Sequence, residues 1–299
     1  MHKLRTSVLG IFIILIFILF SCKKDKINNL QIDINQIDTV NIVQSLNKIY
    51  YSLPSPLELA NTVSHLNIRF YPNFLLPTTE VIKFQTYKAK AVALGIYSAD
   101  LSFSVVFSQQ QKALDYFHVI KSLATDLDLT KKISDSIINE IEQNLNNLHE
   151  LQRLVGEVLF KVDAFLKVED RQNIAHISLY SGWIESLYLI NSFALSTTYD
   201  SLHSEIFKII ADEYLVIDIV INMLQTSNIP EKEKFIEQTS EIKKLLSKLV
   251  KITYHNEYDA YSDMYIKRKV INYNIKIKDI KKLQQIIIKI RNELLTEVS

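Results

Sequence analysis

Residues 78–107 read TTEVIKFQTYKAKAVALGIYSADLSFSVVF. A threonine at 78 or 79 is placed to cap a helix, and nothing after it until Phe107 is a proline, so the stretch predicts one long helix. Ala91, Gly95 and Ala99 recur every four residues, a row of small side chains on one face. Such a row lets a neighbouring helix, or a ligand, come close. Asp100 is the only charged residue between Lys90 and Lys112.

Helical signals continue outward from this stretch. Upstream, Ser55-Pro56-Leu57-Glu58 has the form of a capping box with proline at the first helical position, opening a short helix to about residue 66. Residues 67–77, with Pro72 and Pro77, read as a loop. Downstream, Ser108 with Gln111 three later suggests a second capping box and a helix to about residue 127. From Thr130 to about Lys167, Ile133, Ile137, Ile141, Leu145, Leu148, Val155, Leu159, Val162 and Leu166 recur mostly at steps of three or four. Unbroken, that helix would run about 55 Å at ~1.5 Å per residue. Further helices are predicted over 170–195, 203–226, 231–252 and 276–296.

Glycine supports the same class. The chain has 299 residues and 4 glycines, where ordinary usage of about 7% would give about 20. Proline stands at 5. Tight turns of β-rich folds draw heavily on both residues. The expectation is an all-α, antiparallel multi-helix bundle without tetratricopeptide-type repeats. Residues 250–275 fit it least, because ITYHNEYDAY and KVINYNIKI carry β-branched and aromatic residues. Tyr254, Tyr258, Tyr261 and Tyr265 would form an aromatic stripe if this region were helical: a packing rim, or a surface for a sugar or a partner.

The amino terminus reads as an address. Lys3 and Arg5 precede an apolar run from Val8 to Phe20. That run would reach about 20 Å as a helix, short of a ~30 Å hydrocarbon core, which suits a cleaved signal better than a span. It ends in Leu19-Phe20-Ser21-Cys22, and Cys22 is the only cysteine. This quartet resembles the lipobox of bacterial lipoproteins, with Phe20 bulkier than usual at its place. The resemblance implies lipid attached to the Cys22 thiol, cleavage before Cys22 and acylation of the new amino terminus. A lone cysteine in an exported chain is then accounted for. The expected organisation is a signal peptide over 1–21, a polar lipidated tether over 22–39 and an all-helical domain over 40–299.

LPSPLELA (53–60), LGIYSADLSF (94–103) and SGWIESLYL (181–189) together resemble an uncharacterised family of helical lipoproteins from Gram-negative bacteria. The resemblance implies a place in the cell envelope, lipid-anchored at the outer membrane. No activity is assigned to that family, so it implies nothing about mechanism.

Without residues 1–21 the chain carries 32 basic and 33 acidic side chains, a net charge of −1. A balanced total gives no overall excess to neutralise phosphates, so nucleic acid is not expected as a partner. The sequence contains no HExxH, P-loop, GxSxG or GxGxxG pattern, and Asp115-x-x-His118 is a single weak match to a di-iron motif. No cofactor is expected beyond the covalent lipid on Cys22. The expected partners are the membrane, through that lipid, and an envelope protein or small ligand.

Three acids stand apart. Besides Asp100, Glu185 is alone between Arg171 and Asp200, and Asp218 is alone between Glu213 and Glu231. Each lies in a predicted helix with mainly apolar neighbours. A carboxylate in an apolar interior must find partners or face a wet cavity. In a structural reading these acids accept hydrogen bonds from Tyr, Trp or Arg153 and fix helix register. In a functional reading Asp100, Glu185 and Asp218 converge with Trp183, His118 or His176 on a pocket for a cation or small molecule. The sequence thus favours a non-catalytic binding or scaffolding lipoprotein. The alternatives are a small-molecule or metal-binding protein or enzyme built on the lone carboxylates, and a glycan-binding lipoprotein of an uptake system.

Overall fold

A computed structural model of the chain describes residues 55–66, 68–129, 139–141, 143–144, 147, 149–157, 172–197, 200–259 and 264–296. All of them belong to the unit Gln44–Ser299. The chain is an all-α multi-helix bundle, with one two-stranded antiparallel hairpin among the described residues. In order it forms α1 (Pro56–Ser64), α2 (Tyr87–Val106), α3 (Gln110–Asp126), α4 (Gln172–Ser196), α5 (Asp200–Asp212), α6 (Ile217–Thr226), α7 (Lys232–Leu246), β1 (Val250–Asp259), β2 (Met264–Tyr273) and α8 (Ile277–Thr296). The signal peptide expected over 1–21, Cys22 and the tether expected over 22–39 lie outside the described residues.

The helix starts and stops have local causes. The capping box at α1 is formed: the Ser55 amide donates to Glu58 Oε2 at 2.7 Å and the Glu58 amide donates to Ser55 Oγ at 3.2 Å. The cap of α2 is Thr86, whose Oγ1 accepts from the Ala89 amide at 3.1 Å, and not Thr78 or Thr79. Residues Thr78–Lys83 wind only as a 3₁₀ turn. Phe84 then leaves that turn to bury itself edge-on to Tyr97, and the chain must restart its helix beyond it. Ser108 likewise caps nothing downstream. It sits at φ 57°, and the Gln109 amide reaches back to the Ser104 carbonyl at 2.8 Å, a stop for α2 rather than a start for α3. Asp128 repeats the device after α3. Glycine usually fills such positions, and a chain with 4 of them uses Ser and Asp instead.

Much of the long helix expected over 130–167 lies outside the described residues, but Asn147 is described and is not helical. Its Oδ1 accepts from the Glu150 amide at 3.3 Å, capping a separate helical segment over 149–157. Asparagine offers its own amide to the backbone and so interrupts a helix that hydrophobic spacing alone would continue. The helix expected over 203–226 is broken in the same sense, with a 3₁₀ turn at Glu213–Leu215 between α5 and α6. That expected over 231–252 ends at Leu246, and a hairpin follows.

The helical tyrosine stripe does not form. β1 and β2 pair with Tyr254 opposite Lys269 and Tyr258 opposite Tyr265. Tyr261 lies outside the described residues. The hairpin base is held to the bundle: Val250 is buried, Ile252, Ile271 and Tyr273 pack on the core, and the Tyr273 hydroxyl donates to Asp212 at 2.6 Å.

At the centre α2 lies against α4. The two run in the same direction, Ala91 meeting Ser178, Gly95 meeting Gly182 and Phe103 meeting Phe193. α3 runs back along α2, tied by Lys90 to Asp126 at 2.8 Å and by the Tyr87 hydroxyl to the Leu127 carbonyl at 3.0 Å. α2 is long and apolar enough to cross a membrane by composition, yet 89% of its apolar window is buried within the bundle. It is a core helix.

The small residues set how close α2 and α4 come. A Cβ on Gly95 would stand 2.1 Å from the Ser178 carbonyl oxygen and 2.2 Å from Ser181 Oγ, whereas a Cβ on Gly182 would stand 3.1 Å from the Gly95 carbonyl oxygen. Two serines bridge the helices as well, Ser178 donating to the Ala91 carbonyl at 2.8 Å and Ser181 to the Val92 carbonyl at 3.0 Å. Gly95→Ala should therefore destabilise the domain by about 3 kcal/mol or more, the upper end for overpacking, and Gly182→Ala by about 1–2 kcal/mol. Urea denaturation of the two variants measures both; equal and small losses would contradict the packing described.

Candidate functional site

Glu185 faces α8 from the middle of α4 and is completely buried. Arg291 of α8 meets it with two parallel bonds, Nε to Oε2 and Nη2 to Oε1, the latter at 2.9 Å. The guanidinium also lies over the Tyr188 ring, 4.2 Å from its centroid. Burial pushes the Glu185 carboxyl up and Arg291 draws it back down. The fork-on-fork geometry is that of an ionised pair. Asparagine, serine and glutamine extend the polar seam along the same helices, with Gln284 donating to Ser192 Oγ at 2.8 Å.

Asp100, also completely buried, lies in the same electrostatic neighbourhood. Burial raises its pKa well above the ordinary carboxyl range, the charge on Glu185 adds to the rise, and Arg291 opposes it. Its Oδ2 accepts from the Leu76 amide at 3.1 Å. Two tyrosines fix the same strap of chain: Tyr116 donates to the Leu76 carbonyl at 2.9 Å and Tyr97 to the Pro77 carbonyl at 3.0 Å. Asp100 thus works with them to hold residues 75–77 on the bundle. Its Oδ1, and Ser104 Oγ one turn further along α2, are buried and have no hydrogen-bond partner among the described residues.

The other expected members are elsewhere. Asp218 is a surface acid, its side chain 65% exposed and paired with Lys243 of α7, not a core carboxylate. It occupies the first turn of α6, on the outer side of an amphipathic helix. His118 is exposed on α3. His176 is buried, and burial lowers its pKa to about 4, so it is neutral at physiological pH. Arg153, expected to serve a core acid, pairs at the surface with Glu150 and Glu157. Trp183 is buried and donates its indole N–H to Glu213 Oε2 at 2.8 Å.

Arg291 and Glu213 are the two members that counting isolated charges misses. Both occupy places in apolar stripes: Arg291 continues Ile280, Leu283 and Ile287, and Glu213 falls between Ile210 and Ile217. A charged residue at a core position of a 3–4 stripe is the signal that finds them. Asp100, Glu185 and Arg291 are thus gathered, while Asp218 and His118 stand apart at the surface. Among the described residues no group of three or more His, Cys, Asp or Glu could hold a metal ion. No protein-family model, no curated protein and no solved structure matches the chain.

Two outcomes follow from the buried acids. Arg291→Met leaves Glu185 charged and alone, and should destabilise by about 3–5 kcal/mol, whereas the double variant Glu185→Leu with Arg291→Met should recover most of that loss. Chemical denaturation of the three proteins is the check, and a double variant as weak as the single one would contradict a loss that comes from the unpaired Glu185 charge.

Glu213 gives the second. Burial raises its carboxyl to about 7 against the indole bond that lowers it. A raised acid favours the protonated folded state, so its contribution to stability is full below the unfolded value, near 4.5, and is lost as pH climbs to about 7. Trp183 is the only tryptophan, so its fluorescence should titrate with a midpoint near 7. Glu213→Gln should abolish that titration and flatten the fall in stability over the same range.

Proposed function

We propose that the chain is a membrane-anchored lipoprotein of the cell envelope whose helical body is a non-catalytic binding or scaffolding module. The observation that carries the proposal is the position of Cys22: the single cysteine closes an apolar run too short for a span, in a Leu-Phe-Ser-Cys quartet, and a polar stretch follows. Lipid on that thiol, joined by a second acyl chain at the new amino terminus, gives stable anchoring that one chain does not.

The body is consistent with a module that presents surfaces. Its central acids bond within the fold, Glu185 to Arg291, Glu213 to Trp183, and Asp100 through Oδ2 to the Leu76 amide. They set helix register and loop position, and recognition is left to the exterior. In cells grown with a palmitate analogue, the wild-type chain should carry label and Cys22→Ser should carry none. The same substitution should leave the amino-terminal segment uncleaved, visible as a larger band. Equal labelling of the two proteins would defeat the proposal.

A further inference from the structure

The balanced total charge conceals a division. Residues 243–291 contain 13 Lys and Arg against 4 Asp and Glu, a net +9, while the rest of the chain after residue 21 contains 19 against 29, a net −10. The cationic segment comprises the end of α7, the hairpin and most of α8. α7 and α8 run in opposite directions, since Gln238 and Lys234 of α7 both reach Glu293 late in α8. The last turn of α7, the hairpin base and the first turns of α8 therefore meet at one end of the bundle. The Asn274 amide closes that end by donating to the Leu249 carbonyl at 2.8 Å.

Two features of this end lack a reason within the fold. Lys248, Lys251, Lys276, Lys278, Lys281 and Lys282 are exposed and enter no ion pair among the described residues. Four of them lie in or beside the first two turns of α8; Lys276 and Lys278 flank the start, where the helix dipole disfavours cations and Asp279 is the one acid, and Lys278 and Lys282 are like charges one turn apart. This arrangement lowers the helix's own stability. The second feature is the hairpin. Beyond its base it stands clear of the core: Tyr254 is 56% exposed and Tyr265 77%. A two-stranded ribbon is marginal in water without a face to pack on. The face that carries Tyr254 carries Lys267, with its ammonium 5.0 Å from the tyrosine ring, and Lys269. Exposed Ile277 adds an apolar side chain at the start of α8.

We propose that this end of the bundle, the hairpin face of Tyr254, Tyr265 and Lys267 together with the lysines at the start of α8, docks on an anionic phospholipid surface. Charge complementarity selects an anion, and the exposed Tyr and Ile side chains select one with an apolar layer beneath its charges. Tyrosine rings settle at the headgroup level, and lysines within a Debye length of the surface are attracted to anionic lipids. The inference deepens the proposed function and rests on it for the presence of a membrane. It gives the anchored body an orientation, hairpin end toward the lipid and acidic remainder away.

The test uses the full chain, taken from membranes and placed in nanodiscs of phosphatidylcholine alone or mixed with phosphatidylglycerol. Amide hydrogen exchange over residues 251–256, 265–273 and 276–282 should be about tenfold slower in the anionic discs, and high salt should reverse the difference. The triple variant K278Q/K281Q/K282Q should lose the protection while its melting temperature holds or rises, because it removes the like-charge pair one turn apart and the cation in the first turn. Equal exchange in the two kinds of disc would overturn the proposal, as would protection that survives in the triple variant. Protection by heparin or single-stranded nucleic acid in neutral discs, with none from phosphatidylglycerol, would also overturn it and name a soluble polyanion as the partner. Palmitate labelling reports separately on the anchor. A chain without lipid on Cys22 still enters the disc through its apolar run over 8–20, so failure of the anchoring reading leaves this measurement interpretable.

Discussion

The close approach of α2 and α4 at Gly95 and Gly182 is the constraint from which the rest of the bundle follows. Two backbones that nearly touch leave no space for side chains between them, so both helices are buried on almost every side and must be surrounded. α3 covers α2, α8 covers α4, and the strap at residues 75–77 is drawn in over the top. The serines at 178 and 181 suit this crossing for a second reason. Their hydroxyls donate to carbonyls of the neighbouring helix at 2.8 and 3.0 Å, so they satisfy themselves without asking for room. Larger polar groups would hold the helices apart.

Enclosing two helices so fully has an electrostatic consequence. Asp100 and Glu185 on these helices become buried acids, as does Glu213 on the turn between α5 and α6, and each is answered differently. Glu185 receives a guanidinium with matched geometry. Glu213, on the short turn between α5 and α6, receives only an indole N–H and is left with a raised pKa of about 7. Asp100 receives one backbone amide and the repulsion of Glu185, which pushes its pKa up further. The seam is therefore graded from an ionised pair to a carboxyl that favours its proton. The guanidinium that meets these acids, Arg291, is matched to Glu185.

Charge on the exterior is arranged on a different principle. Ion pairs such as Lys90 with Asp126 and Lys88 with Glu231 lie on the acidic part of the body, where cations find partners within the fold. The end built from α7, the hairpin and α8 has few acids to offer, and its lysines face outward. A region whose charges do not answer one another within the molecule is suited to answer something outside it. The hairpin face adds tyrosines to that charge, which a purely ionic contact would not require.

The amino-acid sequence by itself determined the helical class, the capping box at Ser55 and the presence of isolated acids at 100 and 185. Each rests on spacing or chemistry within a few residues. It also marked the row Ala91, Gly95, Ala99 as a place where something comes close. Only the tertiary structure decided what comes close, because Ser178 and Gly182 are more than 80 residues away in the chain. The same distance hid Arg291 from Glu185, and the exposure of Asp218 depended on which face of α6 met the bundle. Local signals failed where a long-range contact outweighed them: Phe84 found a pocket beside Tyr97 and so moved the start of α2 from Thr78 or Thr79 to Thr86. The four-three-four run of tyrosines failed for a related reason. Val250, Ile252, Ile271 and Tyr273 could bury their side chains at the bundle's end only as paired strands, and that pairing set the register of every tyrosine beyond them.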